Sequence, residues 1–367
     1  MGTRPEAIKL APLAHALAAI GISSHLILTG QHPGLSADDH GLGGLPCENL
    51  ACPGIADPVE HAALVAASLV PVLRRLQPDL VVVQGDTSSA LGGAEAAAEF
   101  GLPLAHVEAG LRSFNRAMPW PEEDNRIAID ELADLLFAPT EGAAENLRRE
   151  QVRGTIHVTG NTGIDALHAV LATLPPAAKR QFRPRAPLDV LVTCHRRENW
   201  GAGLDNLALA LIRLVCGGIA RVEVVLHPNP RVADVMHQLF AHEPDVALAL
   251  PTGHREMVQR MRSADLVLSD SGGIQEEAAT MGVPLLVLRE CTERPEAIAG
   301  GHALLVGTST IRVEAAVRRL AADRAKLRKM AQAGTAFGDG HAAPRIAQLI
   351  AHWLADNDRS VPARRNA

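Results

Sequence analysis

The chain has 367 residues, 47% of them hydrophobic and 21% charged, and carries a net charge of −6 at pH 7. A chain this long overfills one compact core, which predicts two domains of roughly 150–200 residues each. Its acidic balance, with basic clusters only at residues 179–185 and 359–365, argues against nucleic acid as a partner, and no apolar segment is long enough to span a membrane.

Residues 1–5, MGTRP, form no signal peptide, so the protein is expected to stay in the cytoplasm. A helix opens at Thr3-Arg4-Pro5-Glu6, with Ile8, Leu10, Leu13 and Leu17 at helical spacing, Thr3 as its cap and Pro5 near its first position. A turn of this kind is fed by a buried strand, and none precedes it. Either the start lies upstream or the first strand is lost, and a shortened sheet would weaken the domain. An apolar run at 25–28 leads to TGQH at 29–32, and residues 33–58, rich in Gly, Asp and Pro, read as a long loop. A helix is expected over 59–76, then a strand at 80–83 ending in QGDT and a helix over 88–100. Next come a strand at 103–107 running into Glu108, a helix opened by PWPEED at 119–124, a strand at 135–138, a helix at 141–150 and a strand at 156–159. Strands alternating with helices predict right-handed crossovers and a parallel sheet, with polar motifs at the carboxyl ends of the strands, where open α/β sheets bind ligands.

Residues 175–187, PPAAKRQFRPRAP, break the alternation and read as the region between domains. Further strands are expected at 190–193, 222–226, 246–250, 266–268, 284–288 and 303–306, followed by helices at 309–322, 323–333 and 342–355 and a frayed tail at 361–367. The predicted fold class is α/β, two doubly wound domains facing across a cleft. Residues 1–170 form the first domain, 188–340 the second, and 341–367 a C-terminal helix and tail.

The strand at 266–268 runs through SDSGG into a helix start. Gly272 and Gly273 let a ligand approach the backbone beside Ser271, and the N–H groups and positive end of the helix favour an anion such as a diphosphate; the alternative is an ordinary turn with glycines for packing. Glu277 is placed to accept hydrogen bonds from a ribose diol, and Arg294, in TERP at 292–295, offers a charged fork to phosphate. The first domain supplies Asp86 and Glu108 at strand ends and Glu122 at a helix start; carboxylates pressed together raise one another's pKa and serve as acids and bases near neutral pH. His195, beside Arg196 and Arg197, reads either as a proton donor or phosphate contact on a leaving group or as a histidine satisfying local backbone, and His227 shares that ambiguity. His32, His40 and His106 read as structural. Arg4 at the first helix start reaches toward the cleft, while Lys9, five residues on, lies off its face. No GxGxxG follows a strand, so a redox dinucleotide is not implied. Five cysteines (Cys47, Cys52, Cys194, Cys216, Cys291) contain no CxxC pair, so neither zinc nor disulfides are expected; tyrosine is absent, which excludes a tyrosyl acid or base.

Several segments together resemble one family, the bacterial non-hydrolysing UDP-N-acetylglucosamine 2-epimerases. They are GTRPEAIKLAPL at 2–13, TGQH at 29–32, QGDT at 84–87, HVEAGLRS at 106–113, PWPEEDNR at 119–126 and VTGNTGIDAL at 158–167. HRRENWG at 195–201, HPNP at 227–230, SDSGGIQEEA at 269–278, TERPEA at 292–297 and FGDG at 337–340 with Arg345 complete the match, which runs end to end in the family's order. The resemblance implies a glycosyltransferase-B-like fold of two Rossmann-like domains closing on a UDP-sugar, and a homodimer serving cell-surface polysaccharide synthesis. It implies interconversion of UDP-N-acetylglucosamine and UDP-N-acetylmannosamine: the C2 proton is removed and UDP expelled, leaving a 2-acetamidoglucal, and UDP then returns as the proton arrives on the opposite face. No cofactor and no metal are required. By motif, Asp86, Glu108 and Glu122 resemble the acid/base carboxylates and His195 the histidine near the diphosphate. Arg4, Lys9, Ser271, Gly272, Gly273, Glu277 and Arg294 match positions lining the UDP site.

Three departures qualify the resemblance. The family's first strand is missing before Gly2. Its regulatory UDP-N-acetylglucosamine site is represented by Gln31 and His32, but Gly34 stands where a later glutamine is usual and no arginine opens the helix at 59–62, so weak or absent allosteric activation is expected. Residues 252–257, TGHREM, stand where aromatic residues are common, so base contacts are expected to rely on backbone, with lower affinity for UDP. Alternatives are the same chemistry on another UDP-2-acetamido sugar, such as a 2,3-diacetamido-uronic acid, a glycosyltransferase of the same fold, and a non-catalytic nucleotide-sugar binder.

Overall fold

A computed structural model describes residues 1–118, 120–176, 182, 186–227 and 229–360. Much of the expected interdomain stretch at 175–187, and all of the tail at 361–367, lies outside the described residues. The chain begins with α1 (Arg4–Ala19), β1 (Leu26–Leu28), β2 (Cys47–Asn49), α2 (Pro58–Leu76), β3 (Val81–Gln84), α3 (Ser88–Glu99) and β4 (Leu104–Val107). It continues through α4 (Glu122–Leu132), β5 (Leu135–Ala138), α5 (Glu141–Glu150), β6 (Thr155–Val158) and α6 (Thr162–Thr173). Then come β7 (Leu188–Thr193), α7 (Ala202–Cys216), β8 (Ala220–Val225), α8 (Pro230–Leu239), β9 (Val246–Ala249), α9 (His254–Ser263), β10 (Leu266–Ser269) and α10 (Gly272–Met281). β11 (Leu285–Val287), α11 (Pro295–Ala299), β12 (Ala303–Leu305), α12 (Thr310–Ala322), α13 (Arg324–Met330) and α14 (Ala342–Ser360) finish it.

These elements form two compact units, one of Met1–Ala166 together with the chain from Gly338 onward, the other of Leu167–Phe337. In the first unit β3, β4, β5 and β6 make a parallel sheet in sequence order, while β1 and β2 pair parallel as a separate ladder. Met1 and Gly2 run alongside β1, Thr29 N–H donating to Met1 O at 3.0 Å and His32 N–H to Gly2 O at 2.9 Å. Strand periodicity divides the core. Ala105, Val107, Leu135 and Phe137 meet α1 and α14 through Leu13, Leu17, Ile346 and Ile350, whereas Leu104, Leu136 and Ala138 face the alanines of α3 and Leu147 of α5. The stretch at 33–58 differs from the loop expectation, because it contains β2 and a short 3-10 turn at Asp38–His40. Cys47-Glu48-Asn49 carries no apolar alternation, and only pairing with β1 makes it a strand.

The second unit is a six-stranded parallel sheet in the order β12-β11-β10-β7-β8-β9. Its central strands are buried Val and Leu, such as Val190, Val192, Leu266 and Leu268, as a sheet covered on both faces requires. Among the described residues no helix is long and apolar enough to cross a membrane.

Candidate active site

In the second unit the chain order runs outward from β7 to one side and from β10 to the other, so the turns leaving these adjacent strands diverge at their carboxyl ends, where such sheets bind ligands. Asp270, fully buried after β10, ties the two turns together. Its carboxylate accepts the backbone N–H groups of His195 and Arg196 and the amide of Asn199, each at 2.9 Å. Burial by itself would raise the Asp270 pKa, but His195 and these donors outweigh it and hold the carboxyl below its ordinary range.

Ser271 caps α10 without a capping hydrogen bond from its side chain, so its hydroxyl does not occupy the helix N–H groups that an anion would meet. The two glycines play different parts. A Cβ on Gly272 would lie 2.6 Å from Arg294 Nη1, so this backbone is where the guanidinium packs, while a Cβ on Gly273 would meet nothing within 4 Å. Arg294 is buried and pre-oriented, Nε donating to Glu276 at 2.5 Å and Nη1 to Glu293, which also accepts from Arg289 at 2.7 Å. The Glu277 carboxylate pairs with His254 Nε2 at 2.7 Å. His195 lies with Nδ1 3.2 Å from Asp270 and its ring stacked on His227, centroids 5.4 Å apart.

The first unit gathers its acids at the ends of β3 and β4. Asp86 follows Gly85; its carboxylate accepts Arg126 Nε at 2.8 Å and Nη2 at 2.6 Å, and its carbonyl accepts the Asn125 amide at 2.8 Å. Glu108 has a φ of 71°, a region costly for a side chain other than glycine. Its N–H and that of Ala109 both donate to Phe137 O, at 3.0 and 3.1 Å, and the buried carboxylate accepts Lys9 Nζ at 2.6 Å and Gln84 Nε2 at 2.5 Å. Glu122 is the half-buried first residue of α4, and Arg4 the exposed first residue of α1. Asp86 faces Arg126 and Glu108 faces Lys9. Burying like charges at neighbouring strand ends is met by a cation for each.

A family profile described as UDP-N-acetylglucosamine 2-epimerase matches residues 15–351. The chain belongs to the UDP-N-acetylglucosamine 2-epimerase family. A relative of that name from Salmonella typhimurium is 39% identical over 364 residues, covering 95% of this chain and 96% of its own. The crystal structure of the Neisseria meningitidis UDP-GlcNAc 2-epimerase bound to UDP-GlcNAc is 36% identical, with a TM-score of 0.87 over 96% of this chain and 98% of that one. The Methanocaldococcus jannaschii UDP-GlcNAc 2-epimerase in complex with UDP-GlcNAc and UDP is 34% identical, with a TM-score of 0.83 over 96% and 98%. The α/β, glycosyltransferase-B-like fold of two Rossmann-like units is thereby that of a 2-epimerase.

Four residues of this epimerase-family site escaped sequence reasoning as individuals. Gln84 and Arg126 lay inside quoted motifs, but their partners, Glu108 and Asp86, are 24 and 40 residues away. Asp270 and His254 likewise act across 75 and 23 residues. Lys9, set off the face of Arg4 by its spacing, sits on Glu108. Among the described residues no group of three or more His, Cys, Asp or Glu is arranged to hold a metal ion.

Proposed function

We propose that the protein is a UDP-N-acetylglucosamine 2-epimerase, interconverting UDP-N-acetylglucosamine and UDP-N-acetylmannosamine by elimination and re-addition of UDP through a 2-acetamidoglucal. The observation that carries the reading is Glu108, at a strand end with a strained backbone that Phe137 O holds, its buried carboxylate fixed by a lysine and a glutamine. Strain of that kind persists where the surroundings over-determine a functional position. The C2 proton of the sugar is not acidic, so its removal must accompany departure of the diphosphate. The N-terminus of α10 at Ser271, Gly272 and Gly273, with Arg294 locked by Glu276 and Glu293, is suited to stabilise the charge that develops on the leaving group. In this reading Asp86, Glu108 and Glu122 carry the proton off one face and return it to the other. Lys9 serves Glu108, His195 and Arg4 contact the phosphates, and Glu277 the ribose. A cytoplasmic homodimer supplying a cell-surface polysaccharide pathway belongs to the same proposal.

Incubating the purified protein with UDP-N-acetylglucosamine in deuterated water tests it by NMR: deuterium is expected at C2 together with UDP-N-acetylmannosamine, and binding without exchange would sink the reading. Glu108→Gln is expected to slow exchange by about 10²–10⁴-fold, the usual worth of general acid–base catalysis. UDP affinity should stay close to that of the parent.

A further inference from the structure

We propose that His106 is a positioning residue for this reaction: through the Gly85 carbonyl it fixes the turn that presents Asp86, and with Asp130 it couples that turn to the one that presents Glu108. The inference rests on the functional reading above and adds a residue with no substrate contact of its own.

His106 lies in β4 with its side chain 1% exposed, on the sheet face that receives α4. Its Nε2 is 2.8 Å from Gly85 O and its Nδ1 2.6 Å from Asp130 Oδ1. A carbonyl offers only lone pairs, so Nε2 must donate to it. Asp130 already accepts Gly110 N–H at 3.1 Å and Arg112 Nη2 at 2.8 Å through its other oxygen, so it is an acceptor toward Nδ1 as well. The buried ring thus bridges two fixed acceptors, one at each nitrogen. Asp130 suits this role: burial would raise its pKa, but His106 and Arg112 outweigh it and keep the carboxyl ionised.

Each end of the pair holds one functional turn. Gly85, at φ 71°, has both polar backbone groups tied to β4, its N–H donating to Val107 O at 3.1 Å and its carbonyl accepting from His106. The next residue is Asp86. At the other end Asp130 grips the N–H of Gly110, itself at φ 81° and two residues beyond Glu108. Asn125, Arg126 and Asp130 all stand on α4, so one helix sets the Asp86 carbonyl, the Asp86 carboxylate and the His106 ring. A displacement of either carboxylate by an ångström is the kind of change that costs about 10²-fold in rate while leaving binding intact.

Two isosteric substitutions separate the bonds. In His106→Gln the amide nitrogen takes the place of Nε2 and keeps the hydrogen bond to Gly85. In His106→Asn it takes the place of Nδ1 and keeps only the bond to Asp130. Deuterium incorporation at C2 of UDP-N-acetylglucosamine gives kcat and KM, calorimetry the affinity for UDP, and thermal unfolding the stability of each variant. His106→Asn is expected to lower kcat by about 10–100-fold with KM and UDP affinity little changed, and His106→Gln to restore most of the rate. Equal rates in the two variants, or losses that follow thermal stability regardless of which bond is kept, overturn the assignment. Should neither variant fold, Asn125→Ala removes another tether of the Asp86 turn, the bond to the Asp86 carbonyl, while sparing the buried pair; an unchanged kcat there overturns the proposal and a fall supports it. A parent protein that exchanges no C2 proton refutes the functional reading itself, an outcome distinct from an active parent matched by an equally active His106→Asn.

Discussion

Glu277 and His254 form a pair whose protonation the fold controls. Burial by itself would lower the His254 pKa, but the hydrogen bond and charge of Glu277 outweigh it, and the imidazole titrates above its ordinary value of 6.5. The folded chain therefore holds this proton more tightly than the unfolded chain. The stabilisation it brings is complete below about pH 6.5 and is lost as pH rises through the raised value. The melting temperature of the protein is expected to decline across that interval more steeply than that of His254→Gln, and parallel curves for the two proteins would show that the pair contributes nothing. The sequence marked residues 252–257 as unusual because aromatic side chains were missing. It gave no sign of the ion pair, since an interaction across 23 residues depends on how α9 and α10 pack beside β10. Glu108 was legible as a strand-end acid, but its left-handed backbone was not: the strain comes from Phe137 O accepting two successive N–H groups.

The elements show the same division between local and tertiary signal. β5 and α5 stand where the sequence placed them, because four buried residues followed by Thr140 as a cap form a complete local signal. β2 had no such signal. α3 was legible as a helix, but the reason for its composition lies in its neighbours, for it is sandwiched between α2 and the sheet. A Cβ on Gly92 would approach Ala62 O to 2.5 Å and Val65 Cβ to 2.8 Å, so the absent side chain is what lets α2 and α3 close on each other. Gly92→Ala is expected to destabilise the first unit by about 1–3 kcal/mol, the range for overpacking, because the obstacle is backbone and a β-branched stem rather than the end of a flexible chain. Denaturant unfolding measures it. A variant as stable as the parent would mean the two helices have room to separate.

For the whole molecule, two separately cored units predict two unfolding events that a ligand can tell apart. Gly92→Ala marks the transition of the first unit. If the diphosphate is held by α10 and Arg294, UDP at 100 times its dissociation constant is expected to stabilise the other transition by about 2.7 kcal/mol in scanning calorimetry. A rise instead in the transition that Gly92→Ala lowers would assign the nucleotide to the wrong unit. The two-unit organisation was legible from length and from the repeated strand–helix alternation. The switch point between β7 and β10 was not, because strand order depends on which edge each crossover chooses.

The packing of α14 on α1 has a consequence for how the protein is made. Leu13 and Leu17 are translated before the second unit, yet Ile346 and Ile350, which cover them, are translated only after the whole of it. The first unit is therefore sealed only after the second has been made, and during elongation the face of its sheet that carries Val107 and Phe137 must wait exposed, or in the care of a chaperone, for α14 to arrive.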